Sequence, residues 1–198
     1  MDLVAYAGEF VCVFGASGSG KSTLMNLLAG LDLLDSGEIQ AGGRDVGKLD
    51  ESGRAKLRLG TVGVVFQDHN LLEEFTAAEN VALPVEASGT DAGTAREEAL
   101  RQLARVGLSS LEARYPHQLS GGQRQRVGIA RALTGQRAIL LADEPTGSLD
   151  SAASTDLFAL IRKLCDDGLL AVVFSHDHEC RRFADTLYEM TDGRLTAA

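Results

Sequence analysis

The chain has 198 residues, 44% of them hydrophobic and 24% charged, with a mean hydropathy of −0.01. This is ordinary globular composition, which excludes disorder and fits one domain or a domain with a sub-lobe. The 19 Lys and Arg against 28 Asp and Glu leave a net charge of −9, and that balance points away from a chain that binds nucleic acid through its phosphates.

Glu9–Phe14 is a short apolar run that ends in a glycine-rich turn, as a buried strand does. Leu24, Leu27, Leu28 and Leu31 then recur at helical spacing, so Lys21–Leu28 reads as a helix stopped near Gly30. Gly37–Gln40 and Gly60–Gln67 read as strands separated by a glycine-rich turn and a polar stretch of helical character. Helix signals dominate residues 69–136. There Thr94 and Glu97 have the spacing of a capping box before an apolar face of Leu100, Leu103 and Val106. The pattern returns to a buried strand at Ala138–Ala142, a helix through Leu157, Leu160, Ile161 and Leu164, and a strand at Leu169–Phe174. Strands without polar alternation, separated by helices, predict an α/β fold with a mostly parallel sheet covered on both faces. The expectation is a single domain, with a core of 1–68 and 137–198 and an inserted helical lobe of 69–136.

Apolar runs such as Phe10–Phe14 are far shorter than the ~18 residues of a spanning helix, and Met1–Gly8 lacks the layout of a signal peptide. Cys12, Cys165 and Cys180 have no paired spacing and read as reduced thiols of a cytosolic chain.

Three segments carry chemistry. Gly15-Ala16-Ser17-Gly18-Ser19-Gly20-Lys21-Ser22 matches G-x-x-x-x-G-K-[ST], a match that chance gives on the order of once in a hundred such chains. Glycines let successive N–H groups curl around an anion, and the helix beginning at Lys21 turns its positive end toward the same point. Lys21 adds charge toward the β- and γ-phosphates, and the Ser22 hydroxyl can ligate Mg²⁺. Ile139–Ala142 followed by Asp143 and Glu144 is an apolar strand ending in two acids. Asp143 is placed to hold Mg²⁺ beside the phosphate loop, and Glu144 to act as general base on water. Leu119-Ser120-Gly121-Gly122-Gln123 is a capping box, with Ser120 as cap, before a helix through Ala130 and Leu133. Two glycines in a first helical turn cost about 1 kcal/mol each relative to Ala, a cost that makes sense where exposed N–H groups meet a second phosphate.

With Gln67, Ser148-Leu149-Asp150 and His176, these motifs in this order resemble the ATP-binding cassette ATPases over nearly the whole chain. Gly8-Glu9-Phe10, Leu27–Asp32, Phe66-Gln67 through Leu71-Leu72, Phe75–Ala77, Glu79–Val81 and Ala142–Gly147 narrow the resemblance to the MacB/LolD type. The resemblance implies a P-loop NTPase fold that binds and hydrolyses ATP with Mg²⁺. Residues 15–22 and Thr23 would hold the nucleotide, with Ser22, Gln67 and Asp143 around the metal and Glu144, Gln67 and His176 in hydrolysis. Ser120, Gly121, Gly122 and Gln123 would clamp the γ-phosphate held by an opposite subunit, and Asp150 would lie at that boundary. The partners implied are a second copy, head to tail, and an integral membrane permease that keeps the chain on the inner face of the membrane. Leu71, Leu72 and Phe75 are candidates for contact with that permease and equally for the core of the lobe. Such cassettes usually begin with two further strands bearing an adenine-stacking aromatic. Lys21 lies only twenty residues after Met1 (21 − 1), so those strands are expected to be missing. Ala16, Ser148 and Ser175 depart mildly from the usual Pro, Asn and Thr. The rival readings are a soluble ATPase of the same family with a regulatory role, and a zinc site at His176, His178 and Cys180, which lacks a fourth ligand.

Overall fold

The computed structural model describes residues 2–198. Five strands are β1 (Phe10–Phe14), β4 (Val62–Val65), β5 (Ile139–Asp143), β6 (Leu170–Ser175) and β7 (Thr186–Thr191). With β8 (Arg194–Ala197) they form one sheet in the order β4-β5-β6-β1-β7-β8. Every pairing is parallel except β7 with β8. The alternation of side chains along each strand divides the core into two layers. Phe10 and Cys12, Leu140 and Ala142, and Ala171 and Val173 face one layer; Val11 and Val13, Leu141, and Val172 and Phe174 face the other.

Helix α1 (Lys21–Leu28) and helix α2 (Glu51–Gly60) cover the second layer, through Leu24, Met25 and Leu57. The first layer is covered by α3 (Ala77–Ala87), α4 (Ala92–Arg105), α5 (Gly121–Leu133) and α6 (Ser151–Asp166). Helices α3, α4 and α5 pack on one another, and α5 also lies along β4. Five helices begin with an oxygen-bearing cap that accepts a backbone N–H: Asp50, Thr76, Asp91, Ser120 and Asp150. Helix α1 instead follows left-handed Gly20 and has no side-chain cap.

The structure corrects four local expectations. Residues 37–40 do not form a strand of the main sheet: only β2 (Gln40–Ala41) pairs, with β3 (Arg44–Asp45), in a hairpin. Its turn, at Gly42 and Gly43, has φ of 56° and 75°, the left-handed pair of a two-residue hairpin turn. Gly60 closes α2 rather than opening β4. The cap of α4 is Asp91, whose carboxylate accepts the Thr94 N–H at 3.0 Å, so Thr94 and Glu97 lie inside the helix. The buried stripe of α4 runs through Ala95, Ala99 and Leu103 and leaves Leu100 37% exposed. The β7–β8 hairpin lies outside every expectation drawn from the sequence.

Two contacts carry testable consequences. Gly63 of β4 lies so close under the last turn of α5 that a Cβ would overlap the Ala132 carbonyl. Gly63→Ala is expected to lower stability by at least ~3 kcal/mol in chemical denaturation, because the overlap is with backbone and cannot be relieved by a rotamer change. Asp185 accepts the Phe10 N–H at 2.8 Å and pairs with Arg162, which also donates to the Gly8 carbonyl at 2.8 Å. The Phe10 N–H first, then Arg162, holds the Asp185 carboxyl below its usual range. Its stabilisation is therefore present above the unfolded carboxyl's pKa and is lost as pH falls through the depressed value. Asp185→Asn is expected to melt at lower temperature than the parent at neutral pH, with the difference closing as pH falls below the ordinary carboxylate range.

Candidate active site

Residues 15–20 leave the carboxyl end of β1 and turn back into α1, with Gly18 and Gly20 at φ of 79° and 107°. Gly15 has no room for a Cβ between the Met190 carbonyl and Ser19 Oγ, and the Gly193 N–H donates to the Ser19 carbonyl at 2.9 Å. The β7–β8 hairpin thus props the loop from behind. Ala16, Ser17 and Gly18 are exposed at its rim, as are Ser22 and Thr23 on α1. Lys21 is buried, and its Nζ donates to the carbonyls of Gly15 at 2.7 Å and Ala16 at 3.0 Å. A loop of glycines leading into an uncapped helix presents free N–H groups to an anion.

Asp143 ends β5 beside this loop. Its Oδ2 accepts the Ser22 hydroxyl at 2.6 Å, and its Oδ1 is buried with no hydrogen-bond partner. Burial pushes the Asp143 carboxyl above its usual range against the opposing pull of the Ser22 hydroxyl. An orphaned carboxylate oxygen next to a hydroxyl is a set of hard oxygen donors, and the residues present fit Mg²⁺.

Glu144 sits one residue further, in a left-handed conformation with φ 44°. Such backbone costs roughly 1–2 kcal/mol for a residue with a side chain. It is held by its N–H donating to the Phe174 carbonyl at 2.8 Å and by the Gly147 N–H donating to its own carbonyl at 3.0 Å. The half-buried carboxylate meets Lys21 Nζ at 3.1 Å through Oε1. Its Oε2 meets His176 Nδ1 at 2.9 Å and accepts the His176 N–H at 3.3 Å. His176 itself is largely exposed. Gln67 follows β4 and lies over Gly147, where a Cβ would stand 3.2 Å from its Nε2.

One chain thus brings together residues 15–22, Asp143, Glu144, Gln67 and His176. Ser120, Gly121, Gly122 and Gln123 lie elsewhere. Ser120 caps α5 in the expected capping box, with Gln123 Oε1 accepting the Ser120 N–H at 2.9 Å. Gly121 and Gly122 pack on Ser148–Leu149 and Ala153. Asp150 caps α6, accepting the Ala153 N–H at 2.8 Å. No hydrogen bond among the described residues joins these segments to the phosphate loop. His176, His178 and Cys180 do not converge: Cys180 is buried against Cys12 in a 3₁₀ turn, while His176 is turned to Glu144.

Two site features have no signature in the sequence. Ser175, noticeable there only as a departure from Thr, is fully buried with its Oγ 3.4 Å from Glu144 Oε2 and accepts the Asp177 N–H at 3.0 Å. Thr146 then donates to Asp177 at 3.2 Å. A polar residue closing an otherwise apolar strand was the available hint. The second is the turn after Gln67, where His69 and Asn70 are left-handed in succession, with φ 62° and 47°.

A family model described as ABC transporter matches residues 1–147. A lipoprotein-releasing system ATP-binding protein, LolD 2 of Caulobacter vibrioides, is 44% identical over 98% of this chain and 86% of its own length. A macrolide export ATP-binding/permease protein, MacB of Burkholderia pseudomallei, is 46% identical over 96% of this chain, which spans only 29% of that relative. A dimeric ATP-binding cassette solved in a post-hydrolysis state with ADP and Pi superposes with TM-score 0.87 at 38% identity, over 98% of this chain and 88% of that one. Motif geometry, family model and relatives over nearly the full chain agree: the chain belongs to the ABC transporter family and has the fold of its ATPase cassettes.

Proposed function

We propose that this chain is the ATP-binding and ATP-hydrolysing subunit of an export-type ABC transporter, working as a head-to-tail dimer beneath a membrane permease. The observation that carries the reading is the convergence of Lys21, Asp143, Glu144, His176 and Gln67 at one edge of the sheet. Relatives named for lipoprotein release and macrolide export support the transport class. Among the described residues no helix is long and apolar enough to cross a membrane, so in this reading the permease lies outside these residues. Of the candidate contacts, Leu72 is 40% exposed and available to such a partner, whereas Leu71 packs against the core.

The chain's own groups divide the work. Free N–H groups of the loop 15–20, such as those at its exposed rim, and the Lys21 ammonium bind and orient the triphosphate, with Thr23 following on the same helix. Ser22, Asp143 and Gln67 would hold Mg²⁺, which when bound neutralises charge on the transferring phosphoryl group. Glu144 accepts the proton of the attacking water, and His176 fixes its carboxylate from the Oε2 side. Because Ser120, Gly121, Gly122 and Gln123 stand away from the loop of their own chain, they are available to close over the nucleotide of a second copy, with Asp150 beside them at the boundary. The dimeric state of the post-hydrolysis cassette favours this arrangement. The core of 1–68 and 137–198 holds the nucleotide, and the lobe of 69–136 carries the closing face.

Glu144→Gln is expected to lower ATP turnover by at least about 10²-fold while keeping ATP affinity, and to trap an ATP-dependent dimer in size-exclusion chromatography. Unchanged turnover would remove Glu144 from the mechanism. Lys21→Ala is expected to weaken ATP binding in calorimetry by roughly 10- to 100-fold, the worth of its charge-assisted bonds. Unaltered affinity in a folded variant would show that the phosphates are not held there.

A further inference from the structure

After Gln67 the chain makes a tight turn over Asp68–Asn70 that is gripped by one side chain of α5. Arg131 Nη2 donates to the His69 carbonyl at 2.7 Å, and Nη1 donates to the Asn70 carbonyl at 2.6 Å. Extended chain points successive carbonyls to opposite sides. Two successive left-handed residues keep both on one side, where the planar fork of a guanidinium can take them together. Among the described residues no carboxylate pairs with Arg131, so the charge of this half-buried group is directed to these two oxygens. Below the turn, the His69 ring is buried beside Gln125 of the same helix.

We propose that Arg131 is a positioning residue for ATP hydrolysis, its fork holding the turn after Gln67 so that Gln67 stays over Gly147. The inference rests on the hydrolysis reading above and adds to it the side chain that fixes where Gln67 stands. Arg131 is ten residues beyond Gly121 (131 − 121), about 15 Å along α5. Gln67 is two residues before His69, and on its other flank it abuts Gly147, whose N–H is bonded to the Glu144 carbonyl. The fork therefore fixes Gln67 relative to the turn that holds Glu144. The left-handed turn is under strain, and once the fork lets go it relaxes toward ordinary backbone and carries Gln67 away from Gly147.

The test is a kinetic double-mutant cycle on the full chain. Arg131→Lys keeps the charge but cannot span both carbonyls. It is expected to lower kcat for ATP about 10-fold, with KM changed by less than about 3-fold, since the phosphate loop is untouched. In a Gln67→Ala background the same substitution is expected to cause no further fall beyond about 2-fold, because the effect runs through Gln67. Arg137→Lys is the control: Arg137 is also half-buried and donates to the Arg58, Arg131 and Ala132 carbonyls, but does not touch the turn. It is expected to lower the melting temperature and leave kcat within about 2-fold. Should Arg131→Lys fail to fold, Asn70→Val replaces it in the cycle, since Asn70 is exposed and a β-branched residue cannot hold the left-handed backbone that offers its carbonyl to Arg131. Full kcat in Arg131→Lys, a multiplicative loss with Gln67→Ala, or an equal loss in Arg137→Lys would each overturn the inference while the parent still hydrolyses ATP. A parent chain without ATP turnover would overturn the hydrolysis reading and the inference with it.

Discussion

The register of three neighbouring parallel strands is the constraint on which the site depends. Phe14 of β1 stands opposite Ser175 of β6, and Phe174 stands opposite Asp143 of β5. The residues just beyond these positions are Gly15, His176 and Glu144, so the loop, the histidine and the carboxylate emerge at a common edge. Register is itself set by packing. A slip of one residue would exchange the faces of Phe10 and Cys12 with those of Val11 and Val13, and each layer of the core would receive side chains shaped for the other. The chemistry is thus aligned by apolar groups that take no part in it.

The electrostatics of that edge are economical in positive charge. Asp143 and Glu144 are adjacent acids, and Lys21 is the buried cation beside them, already committed to the Gly15 and Ala16 carbonyls and to Glu144. In the proposed function, a phosphate group settling into the loop would compete with Glu144 for the same ammonium. Lys21 thus masks the carboxylate; in the proposed function a triphosphate would draw on the same ammonium and leave the carboxylate more available to water. On that reading, binding and activation of the base would be linked by a single side chain.

What could be read in the sequence was local. Backbone binding of an anion requires glycines and a helix start at fixed offsets, so residues 15–22 are recognisable without knowledge of the fold. The Ser120–Gln123 box is a four-residue interaction and appears as expected. The same local habit failed at Thr94, because Asp91 three residues earlier is an equally good cap and took the position. Ser175, the Arg131 fork and the support of Gly15 by Met190 were not legible. Each joins residues far apart in the chain, and each uses residue types that are commonplace where they stand. Leu100 was misplaced for a related reason: the phase of α4 is set by small alanines, whose burial a pattern of large apolar residues conceals.

The central position of β1 has a consequence for biogenesis. Its partners β6 and β7 begin at Leu170 and Thr186, 160 and 176 residues after Phe10 (170 − 10 and 186 − 10). During translation an apolar segment, Phe10–Phe14, therefore leaves the ribosome with both of its edges unsatisfied and waits for nearly all the remaining chain to be made. Unpaired strands of this kind are what chaperones protect and what aggregates recruit. Yield of native protein from cells should thus depend on elongation speed and chaperone supply more than on the stability of the finished fold.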